Sequence, residues 1–197
     1  EGFVRSLCII DEIFRGTNPI ERISSSTAIL NYINKRDAIT FVATYIIKVP
    51  TLGTNGYVNI GDTMVLLSAW LIGGIYGGLA AGIGSAMSDL IAGYTTYVPG
   101  TLVIKLLMAI AAWLIFKAIK KANINKVVAY IVSSVVAELI MVFGYFLYES
   151  TLLGYGLAAA ASIPSNFIQA GTCIVLAYIL VAALEASKAT ALIKKLV

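Results

Sequence analysis

Three ionisable side chains, Asp89, Lys105 and Glu138, interrupt apolar runs long enough to be membrane helices. A charge at the bilayer centre costs a few kcal/mol on insertion scales, so such groups face a bundle interior or water. Asp89 falls near the end of one run and Lys105 near the start of the next, across the short segment YTTYVPG. An Asp89–Lys105 pair can therefore form, either locking two helices together or meeting a polar group of a ligand. Glu138 lies mid-run with only Ser133 and Ser134 near it in sequence, and no partner for it can be named. Further on, IPSNFIQAG sets Asn166 and Gln169 three residues apart, on one face of a first helical turn that tolerates Pro164. Two carboxamides there would read donors and acceptors of a heterocycle, or would cap the helix and bond across it.

Composition says which elements can hold these residues in place. Of 197 residues, 59% are hydrophobic and only 12% charged, and the mean hydropathy is +0.91. Soluble domains carry about 25% charged residues, so the chain reads as an all-α membrane protein. A span needs roughly 20 residues. We place spans at Ala38–Val49, Thr63–Ile72, Ile75–Ala92, Leu102–Ile119, Val127–Tyr148 and Ile168–Leu184, a six-helix bundle. The runs are continuously apolar, not alternating as barrel strands would be. The absence of histidine excludes His-based catalysis and His-ligated metal. Cys8 and Cys173 lie far apart in apolar runs, which argues against a disulfide framework. No nucleophile–base pair or metal cluster is visible, so neither an enzyme nor a cofactor is expected. Residues 1–36 are mixed in charge and lack an apolar core, so no cleavable signal peptide is expected there.

Lysines orient the bundle. Lys117, Lys120, Lys121 and Lys126 lie between the fourth and fifth spans, and Lys188, Lys194 and Lys195 come after the sixth. Basic loops stay inside, so this face is cytoplasmic, with both termini on it, in a multi-pass protein of the bacterial cell membrane. The opposite loops, 50–62, 93–101 and 149–166, hold Tyr57, Asn59, Asp62, Tyr94, Tyr97, Glu149, Tyr155 and Asn166. An outward-facing site for a small ring-containing ligand is expected. Tyr94 and Tyr97 would stack on or wall off the ring, and Asn59, Asn166 and Gln169 should share the pocket. Small residues at spacing four, Gly74, Gly78, Gly82 and Ala86, mark a strip for close helix approach, within the bundle or to a partner subunit.

With these residues in place a family resemblance emerges. YVNIGD before the second span, GSAMSDLIAGY closing the third, TLVIK opening the fourth and PSNFIQ opening the sixth occur in this order. Residues 41–197 thereby resemble the substrate-binding S components of energy-coupling factor vitamin transporters, in the riboflavin-transporter-like branch. The resemblance implies capture of a vitamin, or a precursor of the riboflavin, pyridoxine or hydroxymethylpyrimidine type, from outside. It also implies association with a transmembrane coupling protein and two ABC-type ATPases. By the same analogy Pro50–Asp62 lids the site, and the outer ends of helices four to six line it. With the residue types above, the site comprises Tyr57, Asn59, Asp62, Asp89, Tyr94, Tyr97, Lys105, Asn166 and Gln169.

The first forty residues read differently. SLCIIDE is an apolar strand ending in Asp11-Glu12, the pattern of a Walker B element. FRGTNPIERISSSTAILNYINKR resembles the signature loop and helix of MutS-like mismatch-repair ATPases, and AITFVAT resembles their next strand. No GxxxxGK[ST] loop precedes them here, so Asp11 and Glu12 have no nucleotide to serve. We read residues 1–40 as a fragment of such an ATPase, joined by recombination or by an error of gene assembly, and not as an independent domain. The rival reading, a DNA-repair ATPase, rests on residues 1–44 alone. Thr17 or Asn18 would cap a helix from about Pro19 through Asn31 that continues into Ala38–Val49. The resulting hybrid first helix carries the polar Asn34-Lys35-Arg36-Asp37 where lipid should be.

Overall fold

A computed structural model describes residues 60–90 and 93–187 in full, with the backbone of residue 91 and of four short strands before them. Within this part the helices are α1 (Gly61–Leu71), α2 (Gly74–Ile91), α3 (Val98–Lys121), α4 (Lys126–Thr151) and α5 (Ile163–Ala186). A 3-10 segment, Gly156–Ser162, leads into α5. The last five expected spans are therefore helices, each within a few residues of its expected ends.

The first expected span is corrected. Strand β2 (Ile39–Phe41) pairs in parallel with β1 (Leu7–Ile9), in the register Leu7↔Ile39. Strand β3 (Val49–Pro50) pairs antiparallel with β4 (Tyr57–Val58). A continuous helix over Ala38–Val49 is thus replaced by extended backbone at both its ends. Isoleucine, threonine and phenylalanine suit a pleated ladder, and a strand partner outweighs helix propensity in so short a run. The helix expected from Pro19 lies outside the described residues, as does Asn34–Asp37.

Three helical stretches, Val98–Lys121, Lys126–Thr151 and Gly156–Ala186, are long and apolar enough to cross a membrane. Large apolar side chains point outward from them, including Leu114, Ile131, Phe143 and Ile179, while Ser133, Ser134, Glu138 and Lys105 are buried. Apolar outside and polar inside is the arrangement a lipid surround favours.

Shorter helices complete the bundle. The α1–α2 turn requires glycine at Gly73, whose φ is +72° and whose added Cβ would lie 2.7 Å from the Trp113 ring. The small-residue strip on α2 packs inside the bundle, against α3. A Cβ on Gly78 would meet Ile110 at 2.9 Å, and one on Gly82 would meet the Leu102 carbonyl oxygen at 2.8 Å. Of the two uses expected for the strip, internal packing is the one observed.

Two ends are distinguished by charge. α3 closes on Lys120 and Lys121, and α4 opens at Lys126 behind an Asn125 cap, whose side chain accepts from the Val127 N–H at 2.8 Å. Lys126 pairs with Glu185 near the end of α5, so α5 also finishes at this basic end. Tyr130 donates to the same Glu185 carboxylate. The start of α1, the end of α2, the start of α3, the end of α4 and the start of α5 consequently gather at the opposite end.

Candidate functional site

Helix α1 enters the bundle with Asp62 in its first turn, where a carboxylate also favours the helix dipole. Asp62 is fully buried. Lys105 of α3 donates to one of its oxygens, and the Gln169 amide of α5 donates to the other. Lys105 is therefore paired with Asp62, not with Asp89 as its nearness in sequence suggested. The reason is geometric. Asp89 stands on the α2 face beside the first turn of α3, and Thr101 donates to it there. Lys105, one turn deeper, is directed across to α1.

The pairing continues through Tyr145 of α4. Its ring lies under the Lys105 ammonium, 5.2 Å from Nζ to centroid, and its hydroxyl is 2.9 Å from Thr101 Oγ1. One polar network thus runs Gln169–Asp62–Lys105–Tyr145–Thr101–Asp89, drawing a residue from every helix α1 to α5. Such a network is strong only when satisfied, because each unpaired member would be costly in a low-dielectric interior. It fixes the helices against one another near the non-basic end.

Nearer that end lies a second cluster, which the sequence reading missed. Glu149, almost fully buried, accepts from Tyr97 at 3.1 Å and from Ser162 at 2.7 Å. It ties the entry of α3 to the residue preceding α5. Its only sequence signal was an acid at the end of an apolar run, since its partners come from distant segments. Tyr97 is buried among Tyr94, Tyr145 and Tyr148, with ring centroids 6.4, 6.5 and 6.3 Å away. Its ring and hydroxyl are thus both engaged by protein groups. Tyr94, half-buried, forms the outer edge of the same aromatic group.

Of the two carboxamides, Gln169 is engaged by Asp62. Asn166 is buried, one turn nearer the open end, and makes no hydrogen bond to a described residue. Tyr57 lies in β4, which runs beside α5, so the 50–62 segment approaches the helix that carries Asn166. Asn59 lies outside the described residues. Among the described residues, three buried polar atoms have no hydrogen-bond partner: Thr63 Oγ1 and both carboxylate oxygens of Glu138. No group of three or more His, Cys, Asp or Glu among them could hold a metal ion.

A buried polar network thus stands at one end of an apolar bundle, with the Asn166 amide above it. Residues 28–186 match the model of the family "ECF-type riboflavin transporter, S component". The chain belongs to this family. The match begins ahead of residue 41, where the resemblance begins, and so takes in the last part of the ATPase-like segment. The chain is also 34% identical over 135 residues to an uncharacterized protein in the gap 3' region of Pyrococcus woesei, covering 68% of this chain and 86% of that one. As an S component, the protein is a membrane subunit for vitamin uptake, a transport role and not an enzymatic one.

Proposed function

We propose that this S component captures a vitamin of the riboflavin, pyridoxine or hydroxymethylpyrimidine type at its non-basic end and delivers it for ATP-driven import. Its partners are a transmembrane coupling protein and two ABC-type ATPases. The observation that carries the site is the buried Asn166, which makes no hydrogen bond to a described residue, above the Asp62–Lys105–Gln169 cluster. Asn166 reads the ligand's polar edge, while Lys105, Asp62 and Gln169 form a fixed side wall and Asp89 anchors its rim through Thr101. Tyr94 and Tyr97 wall the ring, and the 50–62 segment with Tyr57 and Asn59 closes above it. The basic end faces the cytoplasm, on the support of Lys117, Lys120, Lys121 and Lys126. Both chain termini lie on that side of a multi-pass fold.

Residues 1–40 stand apart from this role. The parallel pairing of β1 with β2 supports their reading as a MutS-like ATPase fragment, because consecutive strands of an α/β ATPase sheet run parallel. The test of function is native mass spectrometry of the protein purified in detergent, followed by titration with riboflavin, pyridoxine and the hydroxymethyl aminopyrimidine. One of the three should bind as a single molecule per chain. Failure of all three would refute the proposal.

A further inference from the structure

Four carboxyl groups are buried among the described residues: Asp62, Asp89, Glu138 and Glu149. Three of them are met by donors. Asp62 has Lys105 and Gln169, Asp89 has Thr101, and Glu149 has Tyr97 and Ser162. Glu138 is only 2% exposed, and neither of its oxygens has a partner. Halfway along α4, it cannot turn to solvent as a residue at a helix end would. Its neighbours are electrostatic ones: the charges of Asp62 and Lys105 act on it across the helix interface. Thr63, on the same first turn of α1 as Asp62, carries another buried oxygen without a hydrogen-bond partner, with the weakly polar Cys173 thiol beside it. The two unmet groups therefore belong to the inner side of the polar network already described.

A buried polar group without a partner is costly, and a chain gains nothing in stability by keeping one. Such groups persist where they meet something other than the fold itself. We propose that Glu138 and Thr63 are the deep contacts of the captured ligand, and that Glu138 selects a heterocycle presenting an N–H donor on its inward edge. This rests on the S-component reading and adds its chemistry. A neutral acid, the form that burial without a partner favours, offers a carbonyl acceptor beside an O–H donor, and Thr63 offers either. The floor therefore reads an edge that alternates an N–H with a carbonyl or ring nitrogen. Riboflavin and the aminopyrimidine present such an edge; an edge made only of acceptors would leave the Glu138 carbonyl oxygen without a donor and bind more weakly. Asn166 reads the outer part of the same ligand.

The proposal separates stability from affinity. Glu138→Leu removes an unpaired acid at similar volume, so the ligand-free protein should melt at the parent's temperature or above it. The same variant should bind the parent's ligand about ten- to a hundredfold more weakly. Thr63→Val should weaken binding by a smaller factor, with melting unchanged. Glu138→Gln keeps a carbonyl acceptor and should fall between parent and Glu138→Leu. The probes are riboflavin and the aminopyrimidine, each beside an analogue methylated at the N–H, titrated into the full chain in detergent. The parent should discriminate against the methylated analogue and Glu138→Leu should not. A Glu138→Leu protein that binds and discriminates like the parent overturns the inference, and so does one that fails to fold. A parent that binds neither probe but does bind pyridoxine overturns it too, while leaving the S-component role in place. A parent that binds none of the three overturns that role as well.

Discussion

Replacing Lys105 with methionine tests the centre of the bundle. Methionine keeps the length and most of the packing of the lysine stem but removes its charge. Asp62, with no exposed surface, would be left with the Gln169 amide as its remaining partner of the two. Removing one member of a buried ion pair costs about 3–5 kcal/mol, because the other charge stays buried and uncompensated. Gln169 retains part of the compensation, so the lower end, about 3 kcal/mol, is expected. At about 1.4 kcal/mol per factor of ten, the folded-to-unfolded ratio falls roughly a hundredfold. The assay is thermal unfolding in detergent followed by intrinsic fluorescence, with Lys120→Ala as the control in the exposed basic cluster. The double variant Asp62→Leu/Lys105→Met removes both charges and should recover most of the loss in stability, though not ligand binding. Equal melting for Lys105→Met and Lys120→Ala would refute the pairing. So would a double variant at least as unstable as Lys105→Met alone.

Asn166→Ala should weaken ligand binding about ten- to a hundredfold and blur discrimination between related vitamins, since a matching group on the ligand loses its partner. Asn123→Ala, at the basic end, should do neither; titration of both variants decides. Gly82→Val brings side-chain carbon against the Leu102 carbonyl oxygen, where even a Cβ would sit at 2.8 Å. Separating α2 from α3 by that amount should cost about 1–3 kcal/mol, read as a lower melting temperature. Deleting residues 1–36 and restoring one apolar helical turn before residue 41 should leave ligand affinity intact or improve it. Complete loss of binding in that protein would assign the segment a role in the site.

Apolar runs of helical length, punctuated at Gly73-Gly74, at YTTYVPG and around Asn123, determine the existence and order of five helices, though not the first turns at Val98 and Ile163, because in lipid a backbone must satisfy itself within its own helix. Lysine placement likewise marks one end as basic, and the buried positions of Asp89, Lys105 and Glu138 follow from the cost of a charge in hydrocarbon. Which acid meets which base does not follow. Asp89 is near Lys105 along the chain, yet Asp62 meets it, because α1 inserts beside α3 and α5 and brings a first-turn carboxylate to the lysine's depth. The same holds for Glu149, whose donors come from the α3 entry and the residue before α5. The glycine strip had two possible partners by sequence, and only the packing of α2 on α3 chose between them. Ahead of Gly61, a run that reads as helix is strand at Ile39–Phe41, since a neighbouring strand supplies hydrogen bonds that local propensity does not foresee. Local patterns decide what forms and how deep it lies. Contacts between segments decide what each buried polar group meets, and those depend on how helices are set side by side.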